Sequence, residues 1–163
     1  MKASGANFSK DLRYRYLLWR KWNVDLPMIN FIGLNPSTAN ATDDDPTMRR
    51  CISFAKEWGY GGFYMTNLFA YRTPYPTDLL KAKNPVGKEN DKWIKKIYKK
   101  VDKVVLAWGT KGNFLGRDNQ ILNKVQDKAF CLGYTKEGFP RHPLYVKSGT
   151  TLKKFEVITN HSI

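Results

Sequence analysis

The chain is poor in the residues from which metal centres and nucleophiles are most often built. Its 163 residues include two cysteines and two histidines. Cys51 and Cys131 lie far apart without the spacing of a ligand set, and read as buried thiols of a reducing compartment. His142 falls in a polar loop and His161 in the tail. No Ser–His–acid or Cys–His–acid signature and no phosphate-binding glycine fingerprint is present. Long apolar runs are also missing: none approaches the ~20 residues that span a bilayer. The opening Met1–Asn7 is polar and has no hydrophobic region of a secretory signal. No internal repeat or low-complexity stretch appears. These absences point to a cytoplasmic protein with no membrane partner, no metal and no cofactor.

Acidic residues are scarce as well. Fourteen Asp+Glu face 28 Lys+Arg, giving a formal charge of +14. Such an excess favours a polyanionic partner, nucleic acid or nucleotide, although a solubilising lysine surface has the same composition. Hydrophobic residues are 42% and charged residues 26%, ordinary for a globular chain. The length suits one domain, residues 1–163, with residues 1–10 and 153–163 loosely ordered. Nothing in the sequence speaks to oligomeric state.

What is present is an alternation of strands and helices. Residues 12–22 carry Arg13 and Arg15 between Tyr14 and Tyr16, which predicts a strand with one wet face, antiparallel to the next strand and at the sheet edge. Met28–Leu34 is an apolar run with the look of a buried strand. It stops at Asn35-Pro36 and opens into Ser37-Thr38. Asp45 then reads as an N-cap with Pro46 at the first helical position, and the helix runs to about Trp58. Met48, Cys51, Ile52, Ala55 and Trp58 form its apolar stripe. A second strand covers 63–69. A lysine-rich amphipathic helix covers about 88–101, a third strand 104–108, a helix about 117–128 and a fourth strand 129–133. A short edge segment is expected at 144–146.

The order predicts an α/β three-layer sandwich: a mainly parallel four-stranded sheet between helices, plus the N-terminal antiparallel edge strand. Parallel strands put their carboxyl ends on one edge. The loops leaving that edge carry Asn35, Pro36, Ser37 and Thr38; Asn67 and Arg72; Trp108 and Gly109; and Arg141 and His142. A pocket at the strand ends is where open α/β sheets hold ligands. Asn67, a carboxamide at the end of a buried strand, can satisfy backbone or pair bidentately with a base edge. Trp108 is either core or a stacking platform. His142 suits a general acid or an electrophile. Arg49 and Arg50, on the first helical turns, can reach a phosphate or pair with a nearby Asp. Asp43, Asp44 and Asp45 either cap the helix or present oxygen ligands to a divalent metal, as in a phosphate enzyme.

Several stretches carry a resemblance. Arg13-Tyr14-Arg15-Tyr16, Gly33 to Ala39, Asp44 to Cys51, Trp58 to Gly62 and Asn67 to Arg72 are similar to a bacterial and phage family. So are Pro85-Val86-Gly87, Ala107-Trp108-Gly109 and Pro140 to Tyr145. This is the family catalogued as domain of unknown function 1643, and the likeness runs from about Leu12 to Leu152. More distantly, Gly33-Leu34-Asn35-Pro36 resembles the first motif of the mismatch-specific branch of the uracil-DNA glycosylase superfamily, and His142-Pro143 the start of its second. That resemblance implies the superfamily's parallel four-stranded sheet and N-glycosidic hydrolysis of a nucleobase in DNA or a nucleotide. It implies that Asn35 positions the attacking water, Asn67 sits where the base is read, His142 stabilises the departing base, and Arg141 lies near the DNA backbone. A non-catalytic pocket for a nucleotide or nucleotide-derived signal, with Arg49, Arg72 and Arg141 on phosphate, is the alternative expectation.

Overall fold

The structure, a computed structural model, describes residues 3–157; His161 lies outside them. Strand β1 (Ala3–Phe8) and strand β2 (Arg15–Lys21) are followed by β3 (Met28–Gly33) and helix α1 (Pro46–Glu57). Next come β4 (Gly62–Asn67), α2 (Asn90–Tyr98), β5 (Val104–Leu106), α3 (Arg117–Val125), β6 (Ala129–Cys131) and the two-residue β7 (Lys153–Lys154). Short 3-10 segments occupy Pro76–Leu80, Gly109–Gly116, Gln126–Lys128 and Pro143–Tyr145.

All seven strands form one mixed sheet in the order β1-β2-β4-β3-β5-β6-β7. β4, β3, β5 and β6 are mutually parallel, and β1, β2 and β7 run antiparallel to their neighbours. Counting only the parallel strands in chain order, the arrangement is 2-1-3-4. The chain therefore leaves β3 toward one side, returns, and continues on the other side. The carboxyl end of β3 is the reversal point, the place where open α/β sheets leave a crevice.

Side chains alternate across the sheet and feed two cores. Ile29, Phe31, Phe63, Met65 and Val105 pack with Met48, Cys51, Phe54 and Ala55 of α1. Ile32, Val104 and Leu106 pack with Ile94 of α2 and Ile121, Leu122 and Val125 of α3. Helix α1 starts where the sequence indicates, because Asp45 accepts from the Met48 N–H at 2.9 Å and Pro46 follows it.

Four local expectations change. β2 pairs with β4, not with β3. The 23–27 connection is too wide for a hairpin because it straddles the start of β4: Trp22 and Asn23 N–H both reach Gly61 O, and Gly61 N–H reaches Pro27 O. A Cβ on Gly61 would stand 2.0 Å from Asn23 O, so only glycine fits under this arch. The outer strand on that side is β1, formed by residues expected to be a loose leader and held by its ladder to β2. β2 is thereby an inner strand, and Arg15 is buried where a wet face is expected. Residues 143–145 make a 3-10 turn instead of an edge strand, since Pro143 suits the start of a turn and cannot donate to a ladder.

Candidate functional site

The loops at the carboxyl edge enclose a cavity of about 490 Å³. Asn35, Pro36, Ser37, Thr38, Asn67, Trp108, Gly109 and His142 all line it. Arg72 lines a neighbouring hollow and Arg141 a third one. Arg49 and Arg50 line none of the three. The main cavity is of the size that takes small-molecule ligands.

Asn67 is the last residue of β4 and only 3% exposed. The Asn67–Leu68 backbone is held from three sides. Leu68 N–H donates to Gly33 O. Asn90 Nδ2 donates to the Asn67 and Leu68 carbonyls at 2.9 and 3.1 Å. Arg117 Nε donates to Leu68 O at 2.7 Å. The Asn67 side chain, by contrast, leaves Nδ2 buried without a partner. An unpaired buried amide costs about 1–3 kcal/mol. Gly33, opposite Asn67 in the ladder, gives the carboxamide its room: a Cβ there would lie 2.7 Å from Asn67 Oδ1.

Asn35 is oriented unambiguously. Its Nδ2 donates to Pro36 O at 3.0 Å and Thr73 O at 2.9 Å. Both amide hydrogens are spent on backbone, and Oδ1 is the acceptor left for a ligand or water. The two segments are further tied by Thr73 N–H to Pro36 O.

His142 precedes the 143–145 turn and caps it, with Nδ1 accepting from Leu144 N–H at 3.2 Å. That bond assigns the proton of the neutral ring to Nε2, which becomes a donor. Burial lowers the His142 pKa below 6.5, and the Asp45 carboxylate opposes that shift. At neutral pH the ring is an uncharged donor, suited to polarise an acceptor. Gly109 lies beside it, and Gly109 N–H donates to Pro140 O, joining the loop after β5 to the His142 segment.

Trp108 is buried at 3% exposure, and its Nε1 has no partner. It belongs to the α2–α3 core while lining the cavity. The three carboxylates of the Asp run diverge. Asp43 takes Asn40 Nδ2, Asp44 pairs with Arg20 Nε at 2.9 Å, and Asp45 caps α1. Among the described residues no cluster of three or more His, Cys, Asp or Glu is placed to hold a metal. Nor is any helix of them long and apolar enough to cross a membrane.

The outlying arginines serve the backbone. Arg49 donates to Asp44 O. Arg50 reaches Pro143 O, Val146 O and Ser148 Oγ from α1, and so anchors the His142 turn. Arg72 donates to Leu12 O and lies over the Phe8 ring. Arg141 donates to Tyr134 O.

Sequence reasoning missed Arg15 as a cavity residue. It opens β2, and because β2 runs antiparallel to β4, its start lies at the carboxyl end of the parallel strands. Arg15 is 1% exposed and lines the cavity; Nη1 donates to Ala39 O at 3.1 Å, while Nε has no partner. Arg15 N–H donates to Ala70 O, a contact that only the fold creates, so no signal in the sequence marks the residue.

The fold and the cavity define an α/β protein with a ligand-sized site at the switch point of a mixed seven-stranded sheet. The chain belongs to the family described as Protein of unknown function (DUF1643), whose model matches residues 15–144. No curated protein and no solved structure matches it.

Proposed function

We propose that the cavity recognises a nucleobase and that the protein hydrolyses an N-glycosidic bond, in DNA or a nucleotide, on a fold like that of the uracil-DNA glycosylase superfamily. The observation that carries the reading is the Asn67 carboxamide. It is buried, lines the cavity and has an unpaired amide, the donor–acceptor group that pairs bidentately with a base edge. In this reading Asn35 Oδ1 orients the attacking water, and neutral His142 donates from Nε2 to the base as negative charge develops on it. Trp108 forms part of the wall against which the base rests. The parallel order of β4, β3, β5 and β6 and the Gly33–Pro36 motif support the likeness to that superfamily.

Asp45 favours a second reading. Asp45, the carboxylate lining the cavity, is engaged through Oδ1 in the helix cap, which leaves Oδ2 alone as a base for the proton of a water. A pocket that binds a nucleotide or nucleotide-derived signal without turning it over needs none.

Incubation of the protein with DNA and nucleotides containing modified bases separates the two. Hydrolysis predicts free base or alkali-labile sites, lost in Asn35→Ala. A nucleotide that raises the melting temperature without turnover selects the binding reading. Neither release nor a thermal shift from any nucleobase compound would overturn both.

A further inference from the structure

Six buried side-chain nitrogen or oxygen atoms lack a partner among the described residues, and three of them belong to residues lining the one cavity: Arg15 Nε, Asn67 Nδ2 and Trp108 Nε1. All three are donors. The unpartnered acceptors, Asn30 Oδ1 and Asn90 Oδ1, belong to residues that do not line it. Arg15 and Asn67 thus bring unpaired N–H groups to the cavity wall beside the free acceptor Asn35 Oδ1, and N–H groups of this kind favour an acceptor-rich ligand.

Arg15 gives that occupant a charge. Its guanidinium is buried to 1% exposure and has no carboxylate within salt-bridge distance among the described residues. The charged neighbours do not neutralise it. Arg20 is spent on Asp44, and Asp45 faces it only from a distance while capping α1. Burial lowers the Arg15 pKa to about 10, the Asp45 carboxylate opposes that shift, and Arg72 and Arg20 add to it, so the group is still a cation at neutral pH. A buried, unpaired cation is rare unless an anion completes it.

We propose that Arg15 is the anchor for a terminal phosphate, and that the occupant of the cavity is a free mononucleotide. This inference rests on the nucleobase reading for the other end of the ligand. An internal phosphodiester has chain on both sides, whereas a terminal phosphate has chain on one side only and is the better match for a buried group such as Arg15. A guanidinium offers such an oxyanion parallel N–H donors. Arg49 and Arg141 are turned to backbone carbonyls outside this cavity, and Arg72, whose Nε is also unpartnered, lines the neighbouring hollow and not this one.

The test is calorimetric titration of the full chain with the common nucleosides, their 5′-monophosphates, ribose 5-phosphate, inorganic phosphate and a short oligonucleotide. At least one monophosphate should bind about tenfold or more tighter than its nucleoside, with the advantage falling as salt rises. Arg15→Met should erase that advantage while leaving nucleoside affinity in place, and Arg15→Lys should retain part of it. If Arg15→Met does not fold, the nucleoside–monophosphate comparison on the unmodified protein decides. Ribose 5-phosphate binding as tightly as any nucleotide supports the anchor and defeats the nucleobase reading. Nucleosides discriminated by base but indifferent to a 5′-phosphate defeat the anchor and leave that reading standing. An oligonucleotide without a terminal phosphate that outbinds every mononucleotide overturns the proposal, as does failure of every phosphate compound to bind.

Discussion

Gly33 and Asn67 are register partners in the β3–β4 ladder, and the missing side chain of the first is the space occupied by the second. A Cβ on Gly33 would be 2.7 Å from Asn67 Oδ1. Gly33→Ala should therefore push the carboxamide from its position. We expect a loss of about 1–3 kcal/mol in stability, as for other overpacked sites, and a larger proportional loss of ligand binding. Urea denaturation and nucleotide titration on the same preparation measure the two.

Asn67→Leu should behave in the opposite way toward stability. The carboxamide is buried and its amide unpaired, so an apolar side chain of similar size removes a desolvated polar group. Such replacements are near neutral or stabilising, and a gain of about 0–2 kcal/mol is expected. A clear loss of stability in urea denaturation would mean that Asn67 is structural.

Arg50 tests how the His142 turn is held. It bridges α1 to Pro143 O, Val146 O and Ser148 Oγ and stacks over Phe54 at 4.9 Å. Arg50→Met keeps the stem and removes the donors. Charged hydrogen bonds of this kind are worth about 1.5–3 kcal/mol, and stability should fall by that order. Limited proteolysis should open first in the 143–150 segment.

The pH dependence follows from His142. Its folded pKa is lowered by burial, so between that value and 6.5 the unfolded chain binds more protons than the folded one. Stability then rises with pH across this window and is lost as pH falls through it. His142→Gln should flatten that part of the profile, measured as melting temperature against pH from 5 to 8. A profile unchanged by the substitution would show that His142 does not titrate there.

Much of this was legible in the sequence because it is local. The apolar run Met28–Gly33, the Asp45-Pro46 cap and the stripe on α1 each carry their signal within a few residues. So did the convergence of Asn35, Asn67, Trp108 and His142, which requires only parallel strands. β1 was not legible, since Ala3–Phe8 has no apolar alternation and owes its strand to the β2 ladder. Arg15 failed for a related reason. Alternating arginines imply a wet face only on an edge strand, and β2 is flanked on both sides. Arg13, two residues earlier and outside the strand, is exposed. Arg49, Arg50, Arg72 and Arg141 donate to backbone carbonyls, contacts that charge in a sequence does not reveal.

The most direct test of nucleobase recognition compares the unmodified protein with Asn67→Leu in titrations against nucleosides that differ only in the base edge. Base reading by Asn67 predicts a preference among bases, with the preferred one weakened about tenfold or more in a variant at least as stable as its parent. Equal affinity of both proteins for every base would contradict it.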